Sequence, residues 1–151
     1  MTIRPIESQD IGAILTIQSM CPEIAQWMKS DYARVACGEM AGWVSLRDEG
    51  IDGFLVARTV ASDIEILNLA VRQRARRLGI GTSLLREAFE WGRELQAENA
   101  FLEMRISNDA AKLFYERHDF RVAGRRPRYY SSPEEDALIL VAPLNKTKAA
   151  L

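Results

Sequence analysis

An apolar strand, a loop rich in arginine and glycine and an amphipathic helix follow one another in the middle of the chain. The stretch "IEILNLAV" ends at Val71 and is typical of a strand buried on both faces. In the helix at residues 82–96 the apolar side chains fall on one face; they are Leu84, Leu85, Ala88, Phe89, Gly92 and Leu95. The next stretch, "AFLEMRI", alternates with the period of a strand. Strands joined by crossover helices predict a mixed sheet of the α/β or α+β class.

The remaining segments add strands and helices to this unit. "TIRPI" predicts an opening strand, and Ser8 and Asp10 offer caps for a helix at residues 11–18. A second helix is expected to begin after Pro22. "GWVSLRD" and "GFLVARTV", separated by "EGID", predict a hairpin. "SND" is expected to cap a helix through "AAKLFYERH", followed by a short strand "FRVAG", an irregular "RRPRYYSSPEED" and a last strand "ALILVA".

Composition places the chain among ordinary globular proteins. Its 151 residues are expected to form one domain, 1–151, with 48% hydrophobic residues and a net charge of −1. The apolar runs are too short for a bilayer and no signal peptide is evident, which predicts a cytoplasmic protein without membrane contact. Cys21 and Cys37 are expected to be free thiols. One histidine and no Cys/His cluster exclude a structural zinc site, and no metal is expected.

The loop after Val71 concentrates positive charge beside glycine. Arg76 and Arg77 precede Gly79 and Gly81 at the start of a helix, where unpaired amides and the dipole attract anions. These parts together predict a diphosphate site; the alternative is a basic surface turn that enters the helix through glycine. Neither the Walker loop nor the Rossmann fingerprint matches the spacing.

Three side chains further along are candidates for chemistry. Glu103 is central in an apolar strand, where a carboxylate is costly unless it is paired or faces a cleft. Its alternative role is an ion pair with Arg105 on the same strand face. Tyr115 has the helical spacing of a core aromatic, and Asn108 has the position of a helix N-cap.

The sequence around and after the arginine-rich loop resembles the GNAT superfamily of N-acetyltransferases. R-x-x-G-x-G at Arg76, Gly79 and Gly81 looks like its acetyl-CoA signature. "EILNLAV", "LEMRISNDAAKLFYERHDF" and "RYYSSPEEDALILVAPL" are similar to bacterial ribosomal-protein alanine N-acetyltransferases, a resemblance that covers most of residues 64–144. It implies a GNAT fold: a mixed sheet of six to seven strands with a splayed parallel pair, flanked by about four helices.

The resemblance also implies site residues. Acetyl-CoA would be the co-substrate, Glu103 would be the general base and Tyr115 the general acid. Trp27 and Tyr130 would lie on the substrate side. The residues implied for acetyl-CoA binding are Leu69, Ala70 and Val71 for the pantetheine arm, Arg76, Arg77, Leu78, Gly79, Ile80, Gly81 and Thr82 at the diphosphate, and Asn108 near the arm.

Two arginines of the loop lie outside the family's pattern. Arg72 and Gln73 stand where an acidic residue and proline are usual, and Arg74 follows them. Arg72 and Arg74 are candidates for the 3′-phosphate of CoA or for an acidic partner surface.

The resemblance implies transfer of an acetyl group to the N-terminal α-amine of a protein, with the N-terminal alanine of a small-subunit ribosomal protein as the expected target. An α-amine, with a pKa of about 7.7–8.0 against about 10.4 for lysine, supplies more of the neutral nucleophile at pH 7. The alternative in the same class is acetylation of lysine or of a small-molecule amine. Outside it, the arginines within residues 72–77 and 121–128 could form one basic surface for ribosomal RNA, which the net charge of −1 disfavours. The chain could also sense CoA without catalysis.

Overall fold

The computed structural model describes residues 1–144 as a seven-stranded sheet. The strands are β1 (Thr2–Pro5), β2 (Ala41–Arg47), β3 (Gly50–Val60), β4 (Asp63–Val71), β5 (Asn99–Arg105), β6 (Arg121–Tyr130) and β7 (Glu135–Pro143). Their order is β1-β2-β3-β4-β5-β7-β6. β4 and β5 are parallel, and the other neighbouring strands are antiparallel. The expected mixed sheet with one parallel pair is therefore confirmed.

Four helices cover the two faces of the sheet. They are α1 (Ile11–Ser19), α2 (Lys29–Ala36), α3 (Ile80–Glu94) and α4 (Asp109–Glu116), with short 3₁₀ helices at Ser8–Asp10 and Gln73–Ala75. α1 and α2 pack on one face against Val44, Phe54 and Val56. α3 and α4 pack on the other, where α3 buries the apolar stripe that its sequence spacing predicts. No helix among residues 1–144 is long and apolar enough to cross a membrane.

Close contact between α3 and the sheet depends on Gly92. A Cβ at this position would lie 2.8 Å from Leu144 and 2.9 Å from Ile64. The helix therefore rests directly on β4, the strand that ends at the arginine-rich loop. This packing fixes where the N-terminus of α3 lies relative to the end of β4.

β4 and β5 are paired over only part of their length. The parallel register joins Asp63–Glu65 to Asn99–Phe101, and no pair follows. Beyond it, β4 continues to pair with β3 as far as Val71, and β5 continues to pair with β7 as far as Arg105. A register shift between Val56 and Ala57 marks an irregularity of the β3–β4 ladder near the same place. The two parallel strands therefore diverge and leave a gap between them.

The segment between α1 and α2 departs from its prediction. Residues after Pro22 form turns, and α2 begins only at Lys29, where Asp31 accepts a hydrogen bond from the amide of Met28. The side chain of Gln18 on α1 holds this extended segment. Its amide oxygen accepts a hydrogen bond from the N–H of Trp27, and its amide nitrogen donates one to the C=O of Trp27. A buried side chain on α1 thus offers the backbone partners that a helix would otherwise have supplied.

The first turn of α1 and the last hairpin also differ from their predictions. Asp10 does not cap α1 by its side chain; its carboxylate accepts hydrogen bonds from Arg4 and from the amide of Glu7. β6 runs to Tyr130, through residues expected to be irregular. β6 is an edge strand and mostly exposed, so arginines and Pro127 are tolerated there and the apolar alternation is lost.

Candidate active site

A cleft of about 540 Å³ opens between the end of β4 and the start of α3. We call it the β4–α3 cleft. Its lining brings together residues from β4, the arginine-rich loop, α3, α4 and the α1–α2 segment, namely Cys21, Glu23, Ile24, Leu69, Ala70, Val71, Ala75, Arg76, Arg77, Gly79, Ile80, Gly81, Thr82, Asn108, Ala110, Ala111, Phe114, Tyr115 and Arg117. All but one of the residues implied for acetyl-CoA binding line this cleft. The exception is Leu78, which is 54% exposed.

One wall of the cleft is a strand edge with unused backbone groups. Leu69 and Val71 pair with Leu55 and Gly53 of β3, while the other edge of β4 has left β5. Because N–H and C=O groups alternate sides along a strand, part of this segment points into the gap. An extended chain with amide groups can bind such an edge as an added strand would.

The N-terminus of α3 forms the second wall. Gly79 is its N-cap with φ = 81°, and Arg77 is also left-handed with φ = 67°. A Cβ at Gly79 would contact nothing within 4 Å, so glycine is favoured there by its backbone conformation and not by lack of space. The amides of Ile80, Gly81 and Thr82 belong to the first turn and have no partner within the helix. This wall suits a diphosphate.

Gly81 has a packing role that the sequence did not reveal. A Cβ there would lie 3.2 Å from the ring of Phe114 on α4. The second glycine of the motif therefore lets α4 approach the first turn of α3, in addition to clearing space beside the amides. This contact brings the cleft-lining side chains of α4 close to the α3 wall.

The four arginines of the loop divide into two pairs. Arg76 and Arg77 line the cleft; the Arg76 guanidinium donates to the carbonyl of Val71 at 3.2 Å and approaches the sulfur of Cys21 at 3.6 Å. Arg72 donates instead to the carbonyl of Ile51. Arg74 lies 3.8 Å from Glu49. Neither lines the cleft, so the structure does not bring this second pair to the predicted anion site.

α4 contributes two predicted residues to the cleft. Asn108 caps the helix, accepting a hydrogen bond from the amide of Ala111 at 3.2 Å, and its side chain also lines the cleft. Tyr115 is 9% exposed, and burial raises the pKa of its hydroxyl well above the ordinary value. The hydroxyl makes no hydrogen bond with another residue of the described chain. It therefore keeps its proton and has it available for a bound molecule.

Glu103 lies where β4 and β5 separate. It is the second residue of β5 after Phe101, the last residue paired with β4. Arg126 of β6 forms an ion pair with Oε2 of Glu103, whereas Arg105 pairs with Glu135 at 3.0 Å. The alternative prediction of a Glu103–Arg105 ion pair is therefore wrong. Arg126 lies on the edge strand β6, so the spacing of residues along β5 does not reveal this partner.

The carboxylate of Glu103 is incompletely satisfied. Its side chain is 14% exposed, and Oε2 is buried without a hydrogen bond from any described residue despite the nearby guanidinium. The charges are adjacent, but the Arg126 N–H is not directed at that oxygen. A buried carboxylate oxygen in this state retains the capacity to accept a proton or a hydrogen bond.

Two adjacent tyrosines lie beside this carboxylate. The charge of Glu103, together with partial burial, raises the pKa of Tyr129. Burial and then the charge of Glu103 raise the pKa of Tyr130 to about 12. Arg126 lies over the ring of Tyr129 at 5.4 Å, and Arg105 over that of Tyr130 at 4.6 Å. We call Glu103, Arg126, Tyr129 and Tyr130 the Glu103 cluster.

Glu103 and Tyr115 lie on opposite faces of the sheet. Leu102 and Met104 of β5 belong to the core beneath α3, as does Tyr115. Because strand side chains alternate, Glu103 points to the other face. A gap in the sheet thus has a phenol on its α3 side and a carboxylate on its α1 side.

Trp27 lies in the α1–α2 segment on that second face. Its ring packs on Tyr32, with centroids 5.2 Å apart, and its backbone is held by Gln18. Tyr32 in turn donates to Gln18 at 2.5 Å and accepts from Asn68 of β4. The segment is therefore tied to the strand that borders the gap.

Several residues of the site had escaped the sequence analysis. Cys21, Glu23 and Ile24 line the β4–α3 cleft from a segment that was expected to be helical. Arg126 and Tyr129 lie in the stretch expected to be irregular. Asn68 was detectable, because an amide within the apolar "ILNLAV" requires buried partners.

Comparison with known proteins identifies the fold and the chemistry. The model of the acetyltransferase (GNAT) family matches residues 13–120. The chain belongs to this family. An N-alpha-acetyltransferase of Sulfolobus acidocaldarius is 33% identical over 94% of this chain and 92% of its own. The crystal structure of the ribosomal-protein-S18-alanine N-acetyltransferase from Escherichia coli superposes with a TM-score of 0.84 and 25% identity, covering 99% of this chain and 97% of the other.

A third match concerns the co-substrate. Arabidopsis thaliana NAA60 in complex with acetyl-CoA has the same fold, with a TM-score of 0.84 and 21% identity over 95% of this chain and 98% of that one. Because the present chain belongs to the acetyltransferase family, its co-substrate is acetyl-CoA. The residues present fit that molecule: the open β4 edge suits its amide-containing arm and the α3 N-terminus suits its diphosphate. No cluster of metal-ligating side chains occurs within residues 1–144.

Proposed function

We propose that this acetyltransferase modifies the N-terminal α-amine of a protein, and that its target is the N-terminal alanine of a small-subunit ribosomal protein. The observation that carries the proposal is the gap between β4 and β5, bordered by Tyr115 on one face and Glu103 on the other. Two substrates can enter such a gap from opposite faces and meet without a covalent enzyme intermediate.

The choice of an α-amine is supported by relatives that match along nearly the whole chain. The Sulfolobus acidocaldarius protein is named an N-alpha-acetyltransferase, and the Escherichia coli structure is that of a ribosomal-protein-S18-alanine N-acetyltransferase. An enzyme with a ribosomal substrate works in the cytoplasm. Neutral α-amine is also about two orders of magnitude more abundant than neutral lysine near pH 7.

In the proposed mechanism acetyl-CoA supplies an activated acetyl thioester. Glu103 accepts the proton that the attacking amine loses, directly or through one water. Tyr115, neutral because of its burial, donates its proton to the departing sulfur. Backbone N–H groups of Leu69–Val71, at the open edge of β4, would donate hydrogen bonds to the thioester carbonyl as it becomes negatively charged. Tyr129 and Tyr130 flank the incoming peptide beside Glu103.

A peptide panel tests the proposed acceptor. The protein is incubated with acetyl-CoA and peptides that begin with free alanine, with other residues, or with blocked alanine followed by lysine. We expect acetylation of the free N-termini, fastest for alanine within ribosomal sequence. Acetylation of the blocked, lysine-bearing peptide alone would refute the α-amine and support the alternative of lysine acetylation.

RNA binding is a weaker candidate because its arginines are already engaged. Arg125 pairs with Asp136, Arg126 with Glu103 and Arg128 with Glu134. The alternative of a CoA sensor without catalysis does not account for the incompletely hydrogen-bonded carboxylate of Glu103 at the gap between β4 and β5. Binding of ribosomal RNA that weakens steeply with salt and ignores CoA would favour the first of these candidates.

A further inference from the structure

His118 joins the end of α4 to the first turn of α3. Its Nδ1 lies 2.8 Å from the carbonyl oxygen of Phe114, and its Nε2 lies 3.0 Å from Oγ1 of Thr82. The ring also packs against the Phe114 ring, with centroids 4.6 Å apart. Thr82 lines the β4–α3 cleft next to the amides that suit a diphosphate. The only histidine of the chain thus contacts the anion site through one hydroxyl.

The hydrogen positions follow from what each partner is able to do. A carbonyl oxygen only accepts, so Nδ1 must carry a hydrogen and donate it to Phe114. In a neutral imidazole Nε2 is then an acceptor, and Thr82 donates its single hydroxyl hydrogen to it. In that state Thr82 presents only lone pairs to the cleft. A diphosphate oxygen is also only an acceptor, so the two would repel.

Protonation of His118 reverses this hydrogen bond. Nε2–H then donates to Oγ1, and the hydroxyl hydrogen of Thr82 becomes free to turn toward the cleft. We propose that His118 is a positioning residue whose protonation sets the direction of the Thr82 hydroxyl and so the affinity of the cleft for the diphosphate of CoA. The proposal rests on acetyl-CoA binding and is independent of which amine is acetylated.

The charges around His118 favour coupling between the proton and the ligand. On its own turn the charged neighbours are Glu116, Arg117 and Asp119. From α3, Arg86 lies one turn beyond Thr82 on the same face, and Arg77 lies in the loop. Among the described residues no carboxylate forms an ion pair with His118. A bound diphosphate adds negative charge beside Thr82, which favours an imidazolium at His118 over a neutral ring.

Binding of dephospho-CoA measured by calorimetry between pH 5.5 and 8.5 tests the proposal. This probe keeps the diphosphate and lacks the 3′-monophosphate, whose own titration near pH 6 would confuse the result. Histidine changes charge between pH 5 and 8. We expect dephospho-CoA to bind the unaltered protein about three- to tenfold more tightly at the acidic end, with net proton uptake on binding seen as a dependence on buffer ionisation enthalpy.

Two variants separate the contribution of the Thr82 hydroxyl from that of the His118 charge. His118→Leu removes the proton, and Thr82→Val removes the hydroxyl while keeping the shape of the side chain. Each is expected to abolish the pH dependence, and the double variant is expected to lack it too, with the affinity of Thr82→Val. His118→Gln, which bonds Thr82 without titrating, replaces His118→Leu if that variant does not fold.

Three results would overturn the proposal. They are an affinity of the unaltered protein that does not change with pH, a pH dependence retained in His118→Leu or His118→Gln, or one retained in Thr82→Val. The last result would mean that the imidazolium attracts the ligand by charge alone. Failure of any peptide to be acetylated would leave these binding measurements unaffected, so the two proposals fail separately.

Discussion

Arg126 forms an ion pair with Glu103 at the point where β4 and β5 part. The guanidinium is largely exposed and also lies over the ring of Tyr129. An incoming α-amine is mostly an ammonium at pH 7, and it must approach the same carboxylate. The Arg126 guanidinium thus occupies the position beside Glu103 where, in the proposed mechanism, the amine of the acceptor peptide binds.

Arg126→Ala is expected to lower the KM for a peptide acceptor. Because the Arg126 side of this ion pair is exposed, the pair is worth about 1 kcal/mol at most, and removing the competing cation should lower KM by about fivefold at most. Steady-state kinetics at low salt measures this effect. Arg125→Ala, which loses an ion pair to Asp136 on the same strand, is the matched control and should leave KM unchanged. A raised KM in Arg126→Ala alone would mean that Arg126 binds the peptide instead.

Glu103→Gln and Tyr115→Phe are each expected to lower kcat by about 10²–10⁴-fold, the usual contribution of a positioned acid or base. Both substitutions keep the shape of the side chain, so the affinity for acetyl-CoA should change little. Single-turnover kinetics and calorimetry with CoA measure the two quantities separately. Unchanged turnover in both variants would refute the assigned roles.

Asn68 and Ser45 provide a comparison between two buried polar groups. Asn68 donates to the carbonyl of Ala25 at 3.0 Å and to the Tyr32 hydroxyl at 3.2 Å. The hydroxyl of Ser45 is buried without a partner among residues 1–144. Asn68→Ala should lower the free energy of unfolding by about 1–3 kcal/mol, because it leaves the buried hydrogen-bond partners of Asn68 without a donor. Ser45→Ala should be neutral or stabilising.

Urea denaturation measures both changes in stability. Asn68→Ala should also raise the peptide KM, since it frees the segment that carries Trp27 from β4. Equal losses of stability in the two variants would contradict this account of the network.

Asp10 makes stability depend on acid pH. Burial raises the pKa of its carboxyl, but the hydrogen bonds from Arg4 and from the Glu7 amide outweigh it, and the pKa is lowered below the ordinary value of 3.8. The stabilisation is therefore complete above the unfolded pKa and is lost as the pH falls through the lower folded pKa. Asp10→Asn should cost about 2 kcal/mol at pH 7, as a hydrogen bond to a charged group does.

Denaturation curves of Asp10→Asn and the unaltered protein should converge below pH 4. Glu39→Gln is the matched control: it removes an exposed ion pair with Arg34, 2.9 Å long, and should change stability by less than about 1 kcal/mol. A constant difference between Asp10→Asn and the unaltered protein down to pH 2 would contradict the assignment to the carboxylate.

The predictable parts of the fold are those with a clear hydrophobic periodicity or with capping and turn residues close by in the sequence. α3 appears close to its predicted residues because its apolar stripe is continuous, although it begins at Ile80 where Gly79 allows the turn. Asn108 was predictable as a cap from the letters that follow it. The cleft-lining loop was predictable because arginine and glycine are unusual together at the start of a helix.

What escaped prediction depends on contacts between distant segments. The start of α2 is set by Gln18 and Asn68, which bond a backbone that Pro22 alone does not fix. The partner of Glu103 is on β6, far from it in sequence, and Arg105 was the nearer but wrong choice. Asp119 adopts φ = 70° after α4, a left-handed backbone conformation in which glycine is the usual residue.

Transfer to a peptide that carries both kinds of amine tests the central claim most directly. One peptide with a free N-terminal alanine and an internal lysine is incubated with the protein and acetyl-CoA at pH 7. Tandem mass spectrometry then locates the acetyl group. We expect it on the α-amine of the alanine, with the signal lost in Glu103→Gln. Acetylation of the lysine side chain with a free N-terminus would contradict the proposed function.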